Sequence, residues 1–164
     1  MSFDVFFEPC RYDGTTEWRR HPVTNLDREV PKNAPLTDRE VAAVTEALDR
    51  AGATAADAHG YRVVRFSDGG AADIFTNDCH GCMFSIRDAG VTPALAQLLF
   101  DVMIAGDWVL TFQDDTDEVA IAPNARCVAI VPSFYTRVAI AESTAEMKVL
   151  LEGGFDAWKR YCAG

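Results

Sequence analysis

The sequence predicts an α+β fold: a mostly antiparallel sheet of about six to seven strands with three main helices packed on it. Three observations predict it. Short runs of β-prone residues are joined by turn residues, which is typical of hairpins. Two stretches begin with capping boxes and continue with apolar residues at helical spacing. The strict strand–helix alternation of a doubly wound parallel sheet is absent from the sequence.

The first strand is predicted over residues 2–7, where Phe and Val alternate weakly with polar residues. Residues 9–35 show no clear periodicity and contain four of the seven prolines. We therefore predict a long irregular loop over 9–35. The alternative is a small hairpin over 23–30, because Asn25 and Asp27 supply turn chemistry.

Two helices are predicted in the first two thirds of the chain. Thr37 and Glu40 form a capping box that starts a helix over 37–51. Thr92, followed by a proline, supplies the N-cap of a second helix, which Gly106 ends.

The remaining β-prone runs are predicted to form the rest of the sheet. An Asp-Gly-Gly turn joins the first two of them into a hairpin. The runs are residues 61–66, 71–76, 82–87, 108–112 and 118–122, with the short apolar runs 128–131 and 137–141 adding one or two more strands.

A second capping box, from Ser143 to Glu146, predicts the third main helix. We expect Gly153 and Gly154 to interrupt this helix, because glycine is a poor helix former. A final short helix then presents Phe155, Trp158 and Tyr161 on one apolar face.

The length of 164 residues and the hydrophobic content of 49 % fit one domain over 1–164. The net charge of −10 would repel nucleic-acid backbones and anionic membranes, so neither is expected as a partner. The N-terminal segment lacks the basic start of a signal peptide, and the five cysteines are an odd number. These features predict a cytoplasmic protein with reduced thiols.

The motif with the sharpest chemistry is Cys79-His80-Gly81-Cys82. Two thiolates at this spacing can bind zinc or form a redox disulfide. However, no second pair of ligands follows in the sequence, and the motif leads into a strand rather than a helix. Three interpretations stay open: cysteines placed incidentally in a turn, a metal site formed by Cys79, His80 and Cys82, and regulatory thiols. No cofactor is expected apart from this possible zinc ion.

Negative charge is concentrated in residues 101–146, where eight acidic residues and two arginines give a net charge of −6. The densest part is the loop Asp114, Asp115, Asp117 and Glu118, which lacks the glycine and glutamate of an EF-hand loop. A solvated hairpin loop is the simplest interpretation. The functional alternative is a surface that attracts a cationic protein partner.

A short basic-aromatic segment, Trp18-Arg19-Arg20-His21, stands out in the otherwise acidic chain. Trp and Arg are frequent anchors of protein interfaces, so Trp18 and Arg19 are candidate partner-binding residues. The alternative is a loop that its Trp fixes to the core. No nucleophile elbow or phosphate-binding loop occurs in the sequence.

Three segments together are similar to small acidic bacterial proteins of the toxin-immunity type. They are residues 2–7, 81–84 and 154–161. The resemblance implies an α+β domain in the cytoplasm that binds and neutralises a toxin, and it implies no catalytic residues.

The sequence thus favours a non-enzymatic, immunity-like interaction protein that binds a cationic protein, for which a toxin is one candidate. The alternative is a metal- or thiol-dependent enzyme or sensor centred on Cys79, His80 and Cys82. The oligomeric state is left open by the sequence.

Overall fold

A computed structural model of the chain describes residues 2–21, 25–77, 81–87, 90–114 and 117–163. The strands in this part of the chain are β1 (Phe3–Pro9), β2 (Tyr12–Arg20), β3 (Asp27–Asn33), β4 (Tyr61–Arg65), β5 (Ala71–Asn77), β6 (Gly81–Ile86), β7 (Trp108–Asp114), β8 (Asp117–Ala122) and β9 (Arg137–Ile140). The helices are α1 (Asp38–Arg50), α2 (Pro93–Gly106), α3 (Ala125–Ile130) and α4 (Thr144–Ala163).

Seven of these strands form one sheet in the order β4-β5-β6-β1-β7-β8-β9. Neighbouring strands are antiparallel except β8 and β9, which run parallel. β2 and β3 form a separate two-stranded antiparallel sheet, which we call the hairpin. The predicted α+β class with a mostly antiparallel sheet is therefore confirmed.

The main core lies between one face of the seven-stranded sheet and the helices α1, α2 and α4. The central strand β1 shows why the sheet has two different faces. Phe3, Val5 and Phe7 are at most 1 % exposed and belong to this core. Because side chains alternate along a strand, the residues between them lie on the opposite face. We call this opposite side the open face.

A smaller apolar cluster lies on the open face. It comprises Cys10, Val109, Ala120, Ala122 and Cys127, with Val131 and Tyr135 packed against it. The hairpin also lies over this face, since Arg28 on β3 reaches Glu118 on β8. The open face is thus partly covered by the hairpin and this cluster, whereas Asp4 and Phe6 on β1 stay exposed there.

The capping box predicted for the first helix and the N-cap predicted for the second are present. At the start of α1 the Thr37 hydroxyl accepts a hydrogen bond from the Glu40 backbone N–H at 3.2 Å, and the Glu40 carboxylate accepts one from the Thr37 N–H at 2.7 Å. The Thr92 hydroxyl accepts a bond from Leu95 N–H at the start of α2. The predictions of helices over 37–51 and up to Gly106 are confirmed.

The apolar run 128–131 differs from its predicted strand, because it lies in and directly after helix α3. Asn124 is the N-cap of α3, and its side chain accepts a hydrogen bond from Cys127 N–H at 3.0 Å. A parallel pair of strands needs a crossover connection. Helix α3 lies within the crossover between the parallel strands β8 and β9.

The predicted break at Gly153 and Gly154 is wrong, because α4 continues through both glycines. A Cβ atom on Gly154 would lie 2.2 Å from the Phe112 ring. Glycine at this position therefore lets the helix pack closely on β7. Phe155 and Trp158 pack with Phe3 as the predicted apolar face, whereas the side chain of Tyr161 lies outside the described residues.

The stretch 9–35 is more regular than the sequence indicates, because most of it forms the hairpin. The register shifts between Tyr12 and Thr16, which marks an irregularity in β2. Asn25 adopts a φ of 56°, so the predicted turn chemistry at this residue is used at the hairpin's turn. Residues 22–24 lie outside the described residues, and two of them, 23 and 24, belong to the predicted hairpin over 23–30.

Among the described residues, no helix combines the length and the apolar character that crossing a membrane requires.

Candidate functional site

The open face contains a cavity of about 590 Å³ between the hairpin and the strands β1, β7 and β8. Two regions of its wall differ in chemistry. We call the first the hairpin end, formed by Glu8, Arg19, Arg28, Glu118, Phe134 and Tyr135. The second is the Asp4 end, formed by Asp4, Phe6 and Gln113 on the open face together with Phe112 and Trp158, which pack in the main core. The two ends adjoin, because Gln113 pairs in register with Glu118. The volume lies within the range of small-ligand sites.

The hairpin end is organised around the buried carboxylate of Glu118. Arg28 donates two hydrogen bonds to it, from Nη1 at 2.7 Å and from Nη2 at 2.8 Å. The Nε2 atom of His21 lies 2.5 Å from the same carboxylate. Glu118 is 8 % exposed, so this charge is compensated inside the protein rather than presented to solvent.

Arg19 forms a second ion-pair network beside the first. Its guanidinium donates to Glu17 at 2.6 Å, to Glu8 at 2.9 Å and to the side-chain oxygen of Asn33 at 2.8 Å. Asn33 in turn donates to the Pro9 carbonyl. These contacts link both strands of the hairpin to β1, and they hold the hairpin over the cavity.

Aromatic rings complete the hairpin end. The guanidinium carbon of Arg28 lies 4.1 Å from the centroid of the Phe134 ring, within the distance of a cation–π contact. The Nε atom of Arg28 is buried and has no hydrogen-bond partner in the described part of the chain. Burial raises the pKa of the Tyr135 hydroxyl well above its ordinary value, so this side chain stays neutral at physiological pH.

At the Asp4 end, in contrast, two acceptor oxygens are not accompanied by a paired cation in the described part of the chain. The Asp4 side chain is exposed and accepts a hydrogen bond from the Ser85 hydroxyl at 2.7 Å. The Oε1 atom of Gln113 is buried and accepts no hydrogen bond from any residue the structure describes. Phe6, which is 44 % exposed, and Trp158 supply apolar surface to the same cavity.

The structure brings together two segments that are far apart in the sequence. The basic-aromatic segment lies at the end of β2. Of the acidic segment predicted as a loop, Asp114 ends β7, and Asp117 and Glu118 begin β8. His21 and Arg28, on either side of the hairpin's turn, both contact Glu118. The residues on either side of the hairpin's turn therefore lie beside the start of β8.

The candidate partner-binding residues have different surroundings. Trp18 is 71 % exposed on the outer side of the hairpin, whereas Arg19 points into the ion-pair network of the cavity. Asp117 is half-buried, accepts a hydrogen bond from the Thr136 hydroxyl at 3.0 Å and lies 4.0 Å from Arg137. Asp115 and the side chain of Asp114 lie outside the described residues.

Pairing reduces the negative charge that the stretch 101–146 presents. Arg126 pairs with Asp107, while Glu118 and Asp117 have the arginine partners given above. Glu142 and Glu146, in contrast, are exposed near the start of α4. The acidic character of this stretch is therefore divided between paired and solvated carboxylates.

Of the Cys79-His80-Gly81-Cys82 motif, Cys79 and His80 lie outside the described residues. Cys82 is buried in the main core on β6, and burial raises the pKa of its thiol well above the ordinary value. A thiol in this environment stays protonated and unreactive. In the part of the chain that the structure describes, no three His, Cys, Asp or Glu side chains are grouped to hold a metal ion.

Sequence reasoning did not identify Asp4, Gln113, Arg28 or Phe134 as residues of one cavity. A signal was present for Asp4, because a charged residue that interrupts the apolar residues of a strand lies on the face opposite the core. The other three come from β3, β7 and the loop before β9. Nothing in their local sequence indicates that they meet.

Comparison with protein-family models, with curated proteins and with solved structures found no match for this chain.

Proposed function

We propose that the chain is a non-enzymatic, immunity-like interaction protein that binds a cationic protein, and that this partner is a toxin. The observation that carries the proposal is the exposure of Trp18, whose surface is 71 % accessible although it lies on a regular strand. Folding places most large apolar side chains in a core, so a Trp held at the surface of a hairpin is available to a partner.

The hairpin supports this role because it holds Trp18 in a defined position. Trp18 pairs in register with Glu29 on β3. Leu26, at the turn of the same hairpin, is 69 % exposed. Beneath them, the ion pairs of Arg19 and Arg28 fix the hairpin to the sheet. A rigid aromatic anchor loses little conformational entropy on binding.

Charge supports a cationic partner. The chain has a net charge of −10, which attracts a basic protein over several ångströms at moderate ionic strength. Near the anchor, Glu29 lies opposite Trp18 and accepts a hydrogen bond from the Thr16 hydroxyl. Arg20 is paired with Asp27 at 3.3 Å, so these two charges offset each other. We propose that a basic rim of the partner surrounds an apolar pocket for Trp18.

The proposal places the protein in the cytoplasm. The four cysteines in the described part of the chain are free thiols, of which Cys10, Cys82 and Cys127 are buried. Unpaired thiols are typical of a reducing compartment, where a cytoplasmic immunity protein would meet its toxin.

The test is affinity capture from the cells that make the protein, with Trp18→Ala compared with the wild type. Val149→Ala is the matched control, because Val149 is 68 % exposed on α4, far from the hairpin in sequence. We expect wild type and Val149→Ala to capture one basic protein. Trp18→Ala should weaken its affinity by about 2 kcal/mol or more, as loss of an interface anchor does.

Two further results belong to this test. Higher salt should slow association of the captured protein, and co-production of the chain should protect cells against that protein. If Trp18→Ala captured the basic partner as well as the wild type does, Trp18 would not be part of the interface. Absence of any salt-sensitive basic partner would overturn the proposed function.

A further inference from the structure

We propose that the Asp4 end of the cavity is a binding site for an organic cation: an ammonium or guanidinium group on an apolar stem. The site is separate from the outer side of the hairpin, on which the proposed function rests. Three observations lead to this inference: an Asp4 carboxylate without a described ion pair, a buried Gln113 oxygen without a described donor, and the exposed Phe6 ring.

Two hydrogen-bond acceptors at the Asp4 end are available to a ligand. Asp4 is exposed, and its carboxylate forms no ion pair with any cation in the described ranges. Its one described hydrogen bond comes from the neutral Ser85 hydroxyl. The buried Oε1 atom of Gln113 likewise lacks a donor among the described residues. A ligand that completes these contacts must donate hydrogen bonds, and a positive charge would balance Asp4.

The apolar part of the site consists of aromatic rings, which favour a cation with an alkyl stem. Phe6 is 44 % exposed beside Asp4 on β1, and Trp158 borders the cavity from α4. Aromatic faces attract ammonium and guanidinium groups within about 6 Å of the ring centroid. Next to the cavity, the Phe155 ring that stacks on Trp158 already contacts a cation, since Lys159 Nζ lies 4.3 Å from its centroid.

The hairpin end does not offer an equivalent site for an anion. Both terminal nitrogens of Arg28 donate to Glu118, and its Nε atom is buried. Arg19 uses three nitrogens on Glu17, Glu8 and Asn33. The positive charges at this end are therefore compensated, whereas the negative charge of Asp4 is not.

The cation can come from a free amine or from a lysine or arginine side chain of a protein. The chemistry of recognition is the same in both cases. The two sources differ in what surrounds the charged group, so an amine and a blocked peptide containing one lysine distinguish them.

The experiment is calorimetric titration of the full chain with hexylamine, hexan-1-ol and hexanoate, which share one apolar stem and differ in charge. We expect hexylamine to bind about tenfold or more tightly than hexan-1-ol, and hexanoate to bind most weakly. A blocked lysine peptide that competes with hexylamine at a lower concentration would identify a protein side chain as the source. Tighter binding of hexylamine would identify a free amine.

Asp4→Asn is the decisive variant, because the amide oxygen still accepts the Ser85 hydrogen bond while the charge is lost. We expect it to weaken hexylamine binding about tenfold and to leave hexan-1-ol binding unchanged. Asp13→Asn, at an exposed aspartate on the hairpin, is the matched control and should bind hexylamine as the wild type does.

Hexanoate binding more tightly than hexylamine would overturn the proposal, and so would equal hexylamine binding by Asp4→Asn and the wild type. Trp18→Ala should bind hexylamine normally. Failure of this site is therefore distinguishable from failure of the hairpin as a partner-binding surface.

Discussion

At the scale of single residues, the role of a carboxylate depends more on its surroundings than on whether it belongs to Asp or Glu. Asp117 and Glu118 are neighbours at the start of β8. Asp117 is half-buried near Arg137, whereas Glu118 points under the hairpin to Arg28 and His21. The first belongs to the surface charge of the molecule, and the second holds two elements together.

Glu118→Gln should destabilise the protein, because it leaves the Arg28 guanidinium beside a neutral partner in a partly desolvated position. We expect the free energy of unfolding to fall by about 2–3 kcal/mol. Asp117→Asn, the adjacent control, should change it by less than about 1 kcal/mol, as is usual for surface pairs. Urea denaturation measures both, and equal effects would show that Glu118 has no special structural role.

At the scale of elements, close packing explains the continuous helix α4. Helix propensity alone disfavours the Gly153-Gly154 pair by about 1 kcal/mol per residue relative to Ala. The two positions have different surroundings, however. A Cβ atom on Gly154 would overlap the Phe112 ring, whereas one on Gly153 would meet no atom within 4 Å. Packing therefore requires glycine at position 154 and not at position 153.

Gly153→Ala and Gly154→Ala should consequently have opposite effects on stability. Gly153→Ala should raise the free energy of unfolding by about 0.5–1 kcal/mol through better helix propensity. Gly154→Ala should lower it by about 1–3 kcal/mol, because the added methyl group displaces α4 from β7. Thermal unfolding of the two variants provides the comparison, and stabilisation by Gly154→Ala would contradict the observed packing.

At the scale of the whole molecule, one ion pair joins the segment between β1 and the hairpin to the first helix. Arg11, between β1 and β2, pairs with Glu40 in the first turn of α1. Burial acts to raise the pKa of the Glu40 carboxyl. Hydrogen bonds from Arg11 and Thr37 outweigh burial and lower this pKa to about 2, from the ordinary 4.5. Glu40 therefore stabilises the fold in its charged form.

The pH dependence of folding follows from this lowered pKa. In the unfolded chain Glu40 takes up a proton near pH 4.5, so its contribution is present above that pH and is lost as the pH falls towards about 2. Glu40→Gln keeps a capping side chain but should cost about 1 kcal/mol at pH 7. The cost should shrink at low pH.

Unfolding curves at pH 7 and pH 3 measure that difference. Glu46→Gln is the control on the same helix, where the exposed glutamate pairs only with Arg50 in the described structure. The same pH dependence in Glu40→Gln and the wild type would exclude Glu40 as the source of acid sensitivity.

Much of the architecture was predictable because it depends on local rules. The capping residues Thr37 and Thr92 start helices as predicted, and the Asp-Gly-Gly turn joins two strands. The predictions that differed concern the apolar run 128–131, the stretch 9–35 and the glycines of α4. In each of these, a contact or connection between distant segments determines the local structure.

The sequence by itself determined the α+β class, most elements and the net charge of −10, since periodicity, caps and turns act over a few residues. Only the tertiary structure decided which side chains share a site. It buries Glu118 under the hairpin, leaves Trp18 exposed, and brings Asp4, Gln113 and Trp158 from three elements to the wall of one cavity. The physical reason is that strand order and sheet face, which no local pattern records, bring distant residues together.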